Sequence, residues 1–231
     1  MARENTKAII RITVNVGDAQ VDGAFEVPTA PVPKRYVLPI LRSFSGAIEQ
    51  LAPSAQASCR KGCDACCRQM VPISPTEVHE LAAAFSTVAP GLAQRISGRF
   101  ERAVEQLEQR GLLERLRRRH ELSPADLAQL DRDYFAAQIP CPFLERHACA
   151  IHALRPLACR EFLVTSDPRH CSDPGSGRVA RVELPARASV ALTESDGEGW
   201  VPLILAREYA ARNAEREVNA KSAVEDVLKR L

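Results

Sequence analysis

What this 231-residue sequence lacks narrows it first. No apolar run approaches the roughly 20 residues that a membrane-spanning helix needs, so no such helix is expected. Charge of one sign is missing too. With 31 basic against 29 acidic residues the formal net charge is +2, which gives no strong nucleic-acid signal and no membrane-surface signal. There is no glycine-rich strand–turn–helix fingerprint for a nucleotide-type cofactor, and no internal repeat. The opening residues, Met1-Ala-Arg-Glu-Asn-Thr-Lys7, are polar and run into an alternating pattern rather than an apolar stretch. No secretory signal is therefore expected, and a soluble cytoplasmic protein is.

The last absence is the most telling: no cysteine lies outside two short regions. Cys59, Cys63, Cys66 and Cys67 fall in the first, and Cys141, Cys149, Cys159 and Cys171 in the second. In a reducing compartment such clusters point to metal binding or catalysis before disulfides. A disulfide-bonded or simply buried set is the bland alternative. Soft thiolates suit Zn²⁺ and iron–sulfur clusters alike, and the Cys63/Cys66 spacing can place two sulfurs on one metal. Side chains of the adjacent pair Cys66-Cys67 diverge in extended backbone, so Cys67 could serve a second metal, bridge two, or stay free. Arg60, Lys61, Arg68, Arg146, Arg155, Arg160 and Arg169 lie close in sequence to a cysteine and could offset thiolate charge.

The rest of the chain supplies a mostly α frame. Ile10, Ile12, Val14 and Val16, followed by Ala19, Val21, Phe25 and Val27, predict a β-hairpin over 8–28 that turns at Gly17-Asp18. Apolar residues at helical spacing predict a helix over 35–51. Ser74-Pro75-Thr-Glu77 is a capping-box start for a helix reaching about residue 88. A longer helix follows, with Leu92, Ile96, Phe100, Val104 and Leu107 on one stripe and an interruption near Gly111. Ser123-Pro124 opens another helix, reaching about residue 138. Pro156 can start a short helix carrying Cys159. Residues 178–193 look β-like, and 202–231 read as one long or broken helix. The expected organisation is a hairpin and linker (1–34), a cysteine-cluster domain (35–175) with a helical insert at about 75–138, and C-terminal strands and helix (176–231). The fold class is mostly α with an N-terminal β-hairpin, a small α+β chain with a metal-stapled, cysteine-rich centre.

Together the two cysteine regions resemble the CxxCxxCC zinc- or iron-chelating domain family, the YkgJ-like cysteine-cluster proteins. The residues that carry the resemblance are Cys59 to Cys67, then Cys141-Pro142-Phe143-Leu144, Cys149-Ala-Ile151-His152, Arg155-Pro156, Cys159-Arg160-Glu-Phe162 and Cys171. The sequence departs from the pattern in two places. Three residues rather than two separate Cys59 from Cys63, and His152 stands where the family usually has Tyr. The resemblance implies metal chelation by the eight cysteines, with Arg160 expected to donate hydrogen bonds near the metal–sulfur group. Some flagellin lysine methylases contain a related module; without a cofactor fingerprint that activity is not carried over.

Three readings follow. In the first, Zn²⁺ or an iron–sulfur cluster is held by thiolates from both regions. In the second, a redox or group-transfer enzyme uses the metal or a spare thiolate such as Cys67. In the third, the metal is structural and the insert or C-terminal helix binds a protein partner. His152 is expected to be a packed aromatic substitute, Glu161 to face solvent, and Arg115 to His120 to be a solvated helix end.

Overall fold

The computed structural model describes residues 6–51, 57–60 and 62–231. Most of the small-residue loop expected at 53–58, and Lys61, lie outside the described residues.

Strands β1 (Lys7–Val16) and β2 (Ala19–Pro28) pair antiparallel, with Val16 opposite Ala19 and Gly17-Asp18 as a two-residue turn. Gly17 takes a φ of +60°, a conformation a turn of this length favours in glycine. The register sets Ile10 against Phe25 and Val14 against Val21, so the apolar positions of both strands share one face. That face packs on α1 (Leu38–Leu51), where Leu38 and Leu41 are 0% exposed. Each such side chain contributes about 1.5–3 kcal/mol of hydrophobic burial. A short pairing of β3 (Val32–Pro33) with β8 (Glu217–Val218) joins this end to the C-terminal residues.

Between the cysteine regions lie four helices: α2 (Pro75–Phe85), α3 (Pro90–Gln109), α4 (Leu113–Arg117) and α5 (Pro124–Ala136). The capping box at α2 forms as its sequence predicts: Ser74 Oγ accepts from Glu77 N at 3.1 Å, and Glu77 Oε2 accepts from Ser74 N at 2.9 Å. Gly111, at φ +69°, breaks α3 from α4. Ile96, Phe100 and Leu107 of the predicted α3 stripe are buried. The first two pack with α2 against β4 (Pro72–Ile73) and β7 (Val201–Pro202), which pair with each other.

One stretch of the C-terminal third departs from expectation. The stretch 178–193 is not a strand pair: it makes one isolated bridge, Val164 to Arg181, and then becomes helix α7 (Ala188–Asp196). Its valines suggested strand, but Ala188, Ala191 and Leu192 recur at helical spacing on the buried face, while Val190 is 50% exposed. The helix expected from Pro202 is broken into α8 (Ala206–Arg212) and α9 (Ala220–Leu228). Lys34 and Asp196, both buried, form an ion pair at 2.8 Å. Asp196 also accepts from Thr76 N at 3.0 Å and Thr76 Oγ1 at 2.7 Å, so this pair joins the chain before α1 to the start of α2 and the end of α7. The result is a mostly helical α+β chain with an N-terminal hairpin. Among the described residues no helix is long and apolar enough to cross a membrane.

Candidate metal centre

Backbone hydrogen bonds bring the two cysteine segments together. In the first, Cys67 N donates to Asp64 O at 2.9 Å and Gln69 N to Cys66 O at 3.1 Å, making a tight 3₁₀ turn over Ala65–Arg68. Such a turn swings adjacent side chains out of the divergence that an extended Cys66-Cys67 pair would show. Cys141 N donates to Cys67 O at 2.7 Å, which stitches the second segment directly onto that turn. Upstream, Ser58 N donates to Val164 O at 2.8 Å, aligning the residues before Cys59 with those after Cys159. Strands β5 (Leu144–Glu145) and β6 (Ala148–Cys149) form a small hairpin that places Cys149. Cys159 sits on α6 (Leu157–Glu161), preceded by Pro156, and Cys171 on a 3₁₀ turn over Pro168–Ser172.

All eight cysteines are free thiols, Cys171 buried and the others half-buried. They lie close enough to perturb one another. A hydrogen bond between the Cys66 and Cys67 thiols holds Cys66 well below the ordinary thiol value and pushes Cys67 well above it. The Arg155 guanidinium also favours the Cys66 thiolate, while Cys141 and Cys159 add to the rise at Cys67. Burial pushes Cys141 up to about 12, and Cys149 and Cys66 reinforce it. Cys159 is raised by burial, then by Cys141 and Cys66. Cys171 is pushed up to about 11 by burial, then by Cys66, Cys59 and Cys63. Cys149 is raised by burial, against the opposing charges of Arg155 and Arg160. These influences run within each segment and between the two: Cys141 and Cys159 act on Cys67, and Cys66, Cys59 and Cys63 act on Cys171. Among the described residues, no three His, Cys, Asp or Glu side chains are disposed to hold a metal ion as they stand. The donor set nevertheless fits soft metal chemistry: eight thiols, with cations beside them.

Arg160 spends its guanidinium on backbone carbonyls, donating to Arg155 O at 2.9 Å and Ala153 O at 2.8 Å. It braces the loop before α6, and its charge reaches Cys149. Arg155 is the more central cation: it donates to Cys159 O, and its charge favours the thiolates of Cys66, Cys149 and Cys159. Its neighbours in sequence are basic and cysteine-rich enough to flag the region, but not to rank Arg155 above Arg160.

Other side chains correct the expectations. Glu161 does not face solvent: it is 2% exposed and accepts from Ser189 N at 3.0 Å and from Ser189 Oγ, capping α7. His152 is exposed rather than packed. Asp64 bridges the two segments, with its carboxylate 3.0 Å from His147 Nδ1. Glu77 reaches beyond its own helix. Its Oε1 accepts from Leu157 N at 2.7 Å, so one buried carboxylate caps both α2 and the helix that carries Cys159. Nothing local in the sequence signals that second bond, which spans 80 positions. The basic run from Arg115 is largely paired: Arg115 with Asp133, Arg117 with Glu208, Arg118 with Glu121, and Arg119 stacked 5.0 Å over Trp200.

The backbone thus brings together two cysteine segments that lie far apart in the chain. Residues 58–174 match the CxxCxxCC family, described as "Putative zinc- or iron-chelating domain". The match spans half of the chain, and the chain belongs to this family. No curated protein and no solved structure gives a match.

Proposed function

We propose that the chain holds Zn²⁺ or an iron–sulfur cluster through its clustered thiolates, and that the metal ties segment 57–71 to segment 141–171 across helices α2–α5. The observation that carries this reading is the backbone pairing of the two cysteine segments, with Cys141 N donating to Cys67 O at 2.7 Å and Ser58 N to Val164 O at 2.8 Å. Four thiolates are what one structural zinc or one cluster takes. Cys59, Cys63 and Cys171, with Cys149 beside Cys141, leave donors for a second metal. Bound metal would supply a cross-link between the segments and a negatively charged sulfur shell. Arg155 offsets that charge, and Arg160 holds the loop that presents Arg155.

Coordination draws the thiols inward from their present positions, so it is coupled to folding. Thiols raised by burial must lose protons to bind, and affinity therefore falls as pH falls. A reducing cytoplasm keeps these thiols available. Anaerobic purification with metal and acid-labile sulfide analysis tests the reading. Brown protein with sulfide identifies a cluster, and colourless protein with stoichiometric zinc identifies zinc. Protein that carries neither, and whose thermal melt does not respond to zinc or to iron and sulfide, refutes the proposal.

A further inference from the structure

Beside the thiol cluster lies a cleft of about 410 Å³, of a size that suits a small molecule. Arg68, Arg99, Arg102 and Arg146 line it together with His147, against the single carboxylate of Asp64. That carboxylate is engaged by His147 at 3.0 Å and by Arg68 at 3.9 Å. Arg99 is anchored to Pro142 O at 3.2 Å and to Glu145 at 3.1 Å. Among the described residues, Arg102 and Arg146 have no carboxylate partner, and both are exposed. With Arg68 and Arg99 paired and Arg102 and Arg146 without a carboxylate, the wall is left as a cationic concavity in which the unpaired charges add.

The local backbone fixes where two of these side chains start. Arg146 and His147 are the two turn residues of the β5–β6 hairpin, and both lie in the left-handed region, at φ +50° and +61°. A two-residue turn of this kind favours Gly or Asn. Arg and His held in that region both stand on the cleft wall. Ile139, 1% exposed, and Leu144 supply an apolar part of the lining. Cys141 is the one cysteine on the wall, so an occupant stands beside the thiol cluster rather than within it.

We propose that this cleft binds a small molecule carrying two or more negative charges on oxygen, as a phosphate ester or a polycarboxylate does. Planar guanidinium forks pair with such oxygens in two-pronged hydrogen bonds. The excess of cations favours a dianion over a monoanion, and the apolar lining accommodates a short carbon skeleton beside the charged groups.

Calorimetric titration of the full-length protein as purified, with metal content recorded, tests this. Inorganic phosphate, succinate and acetate are the probes. Phosphate, succinate or both should bind below about 1 mM, with acetate at least about tenfold weaker. Raising NaCl from about 50 to about 300 mM should weaken the binding severalfold, because the cations are partly exposed. Binding of phosphate alone assigns the site to phosphate esters, and binding of succinate alone to polycarboxylates. The double variant R102A/R146A should lose at least about tenfold in affinity while keeping its melting temperature and metal content, since neither side chain holds another part of the fold. No heat from either dianion at about 10 mM, acetate binding as tightly, or full affinity in the double variant overturns the proposal. So does loss of metal from that variant, which would place these arginines in the thiol cluster instead. Failure on the first three counts leaves the metal reading standing, because metal content is measured separately.

Discussion

Replacing Glu77→Gln exposes how the fold holds the helix of Cys159. Glu77 is 1% exposed; Oε2 accepts from Ser74 N at 2.9 Å and Oε1 from Leu157 N at 2.7 Å. Burial raises its carboxyl from the ordinary 4.5 to about 7, against the pull of those two donors and of Arg42. The folded chain therefore keeps this proton up to about pH 7, while the unfolded chain releases it near 4.5. Between those values the folded state binds more protons, so the stability this group contributes falls as pH rises through the window and is level above it. At 1.36 kcal/mol per pH unit the fall is about 3 kcal/mol. Gln stays neutral throughout and removes it. Its one carbonyl oxygen can serve only one of the two backbone donors, at a cost of about 1–3 kcal/mol for the other. The variant should thus be weaker by about 1–3 kcal/mol near pH 5 and equal or stronger near pH 8. Urea denaturation of the metal-loaded pair at both pH values measures this, and thiol titration cancels in the difference. A deficit that stays constant or grows with pH refutes the reasoning.

Other perturbations follow from the same geometry. Asp196→Ala strands a buried Lys34 ammonium and two donors of Thr76, and should cost about 3–5 kcal/mol by urea denaturation; a loss below about 1 kcal/mol contradicts the role of the pair. Glu161→Ala removes two bonds at the start of α7. It should cost about 1–3 kcal/mol and speed amide exchange over residues 189–192; unchanged exchange there counts against the cap. In metal-free protein near pH 7, iodoacetamide should label Cys66 ahead of Cys141 and Cys159, because only the first is held below the ordinary thiol value. Peptide mass spectrometry that finds Cys141 labelled first argues otherwise.

Local signals were strong enough to write much of the frame. The hairpin turns where Gly17-Asp18 interrupts the alternation, α2 starts at its Ser74 and Glu77 box, and Gly111 separates α3 from α4. Each of these is decided within a few residues. Residues 178–193 went the other way, because valine content suggested strand while burial of Ala188, Ala191 and Leu192 on one helical face set the outcome. The cysteine regions and the family were legible in Cys59 to Cys67 and Cys141 to Cys171. The side chains that hold the regions in place were not. Glu77 to Leu157, Asp64 to His147 and Glu161 to Ser189 are bonds between residues far apart in the chain, and a single acidic residue carries no mark of its distant partner. The same holds for the arginine-lined cleft, assembled from α3, the Cys66-Cys67 turn and the β5–β6 hairpin.

The central claim is that one metal site takes thiolates from both segments. The most direct measurement is metal stoichiometry, under anaerobic purification, of the unaltered protein beside Cys66→Ser and Cys159→Ser. The account predicts that each single change, one in either segment, lowers bound metal and the melting temperature together. Full metal content in Cys159→Ser with loss only in Cys66→Ser would confine the site to the first segment and contradict it.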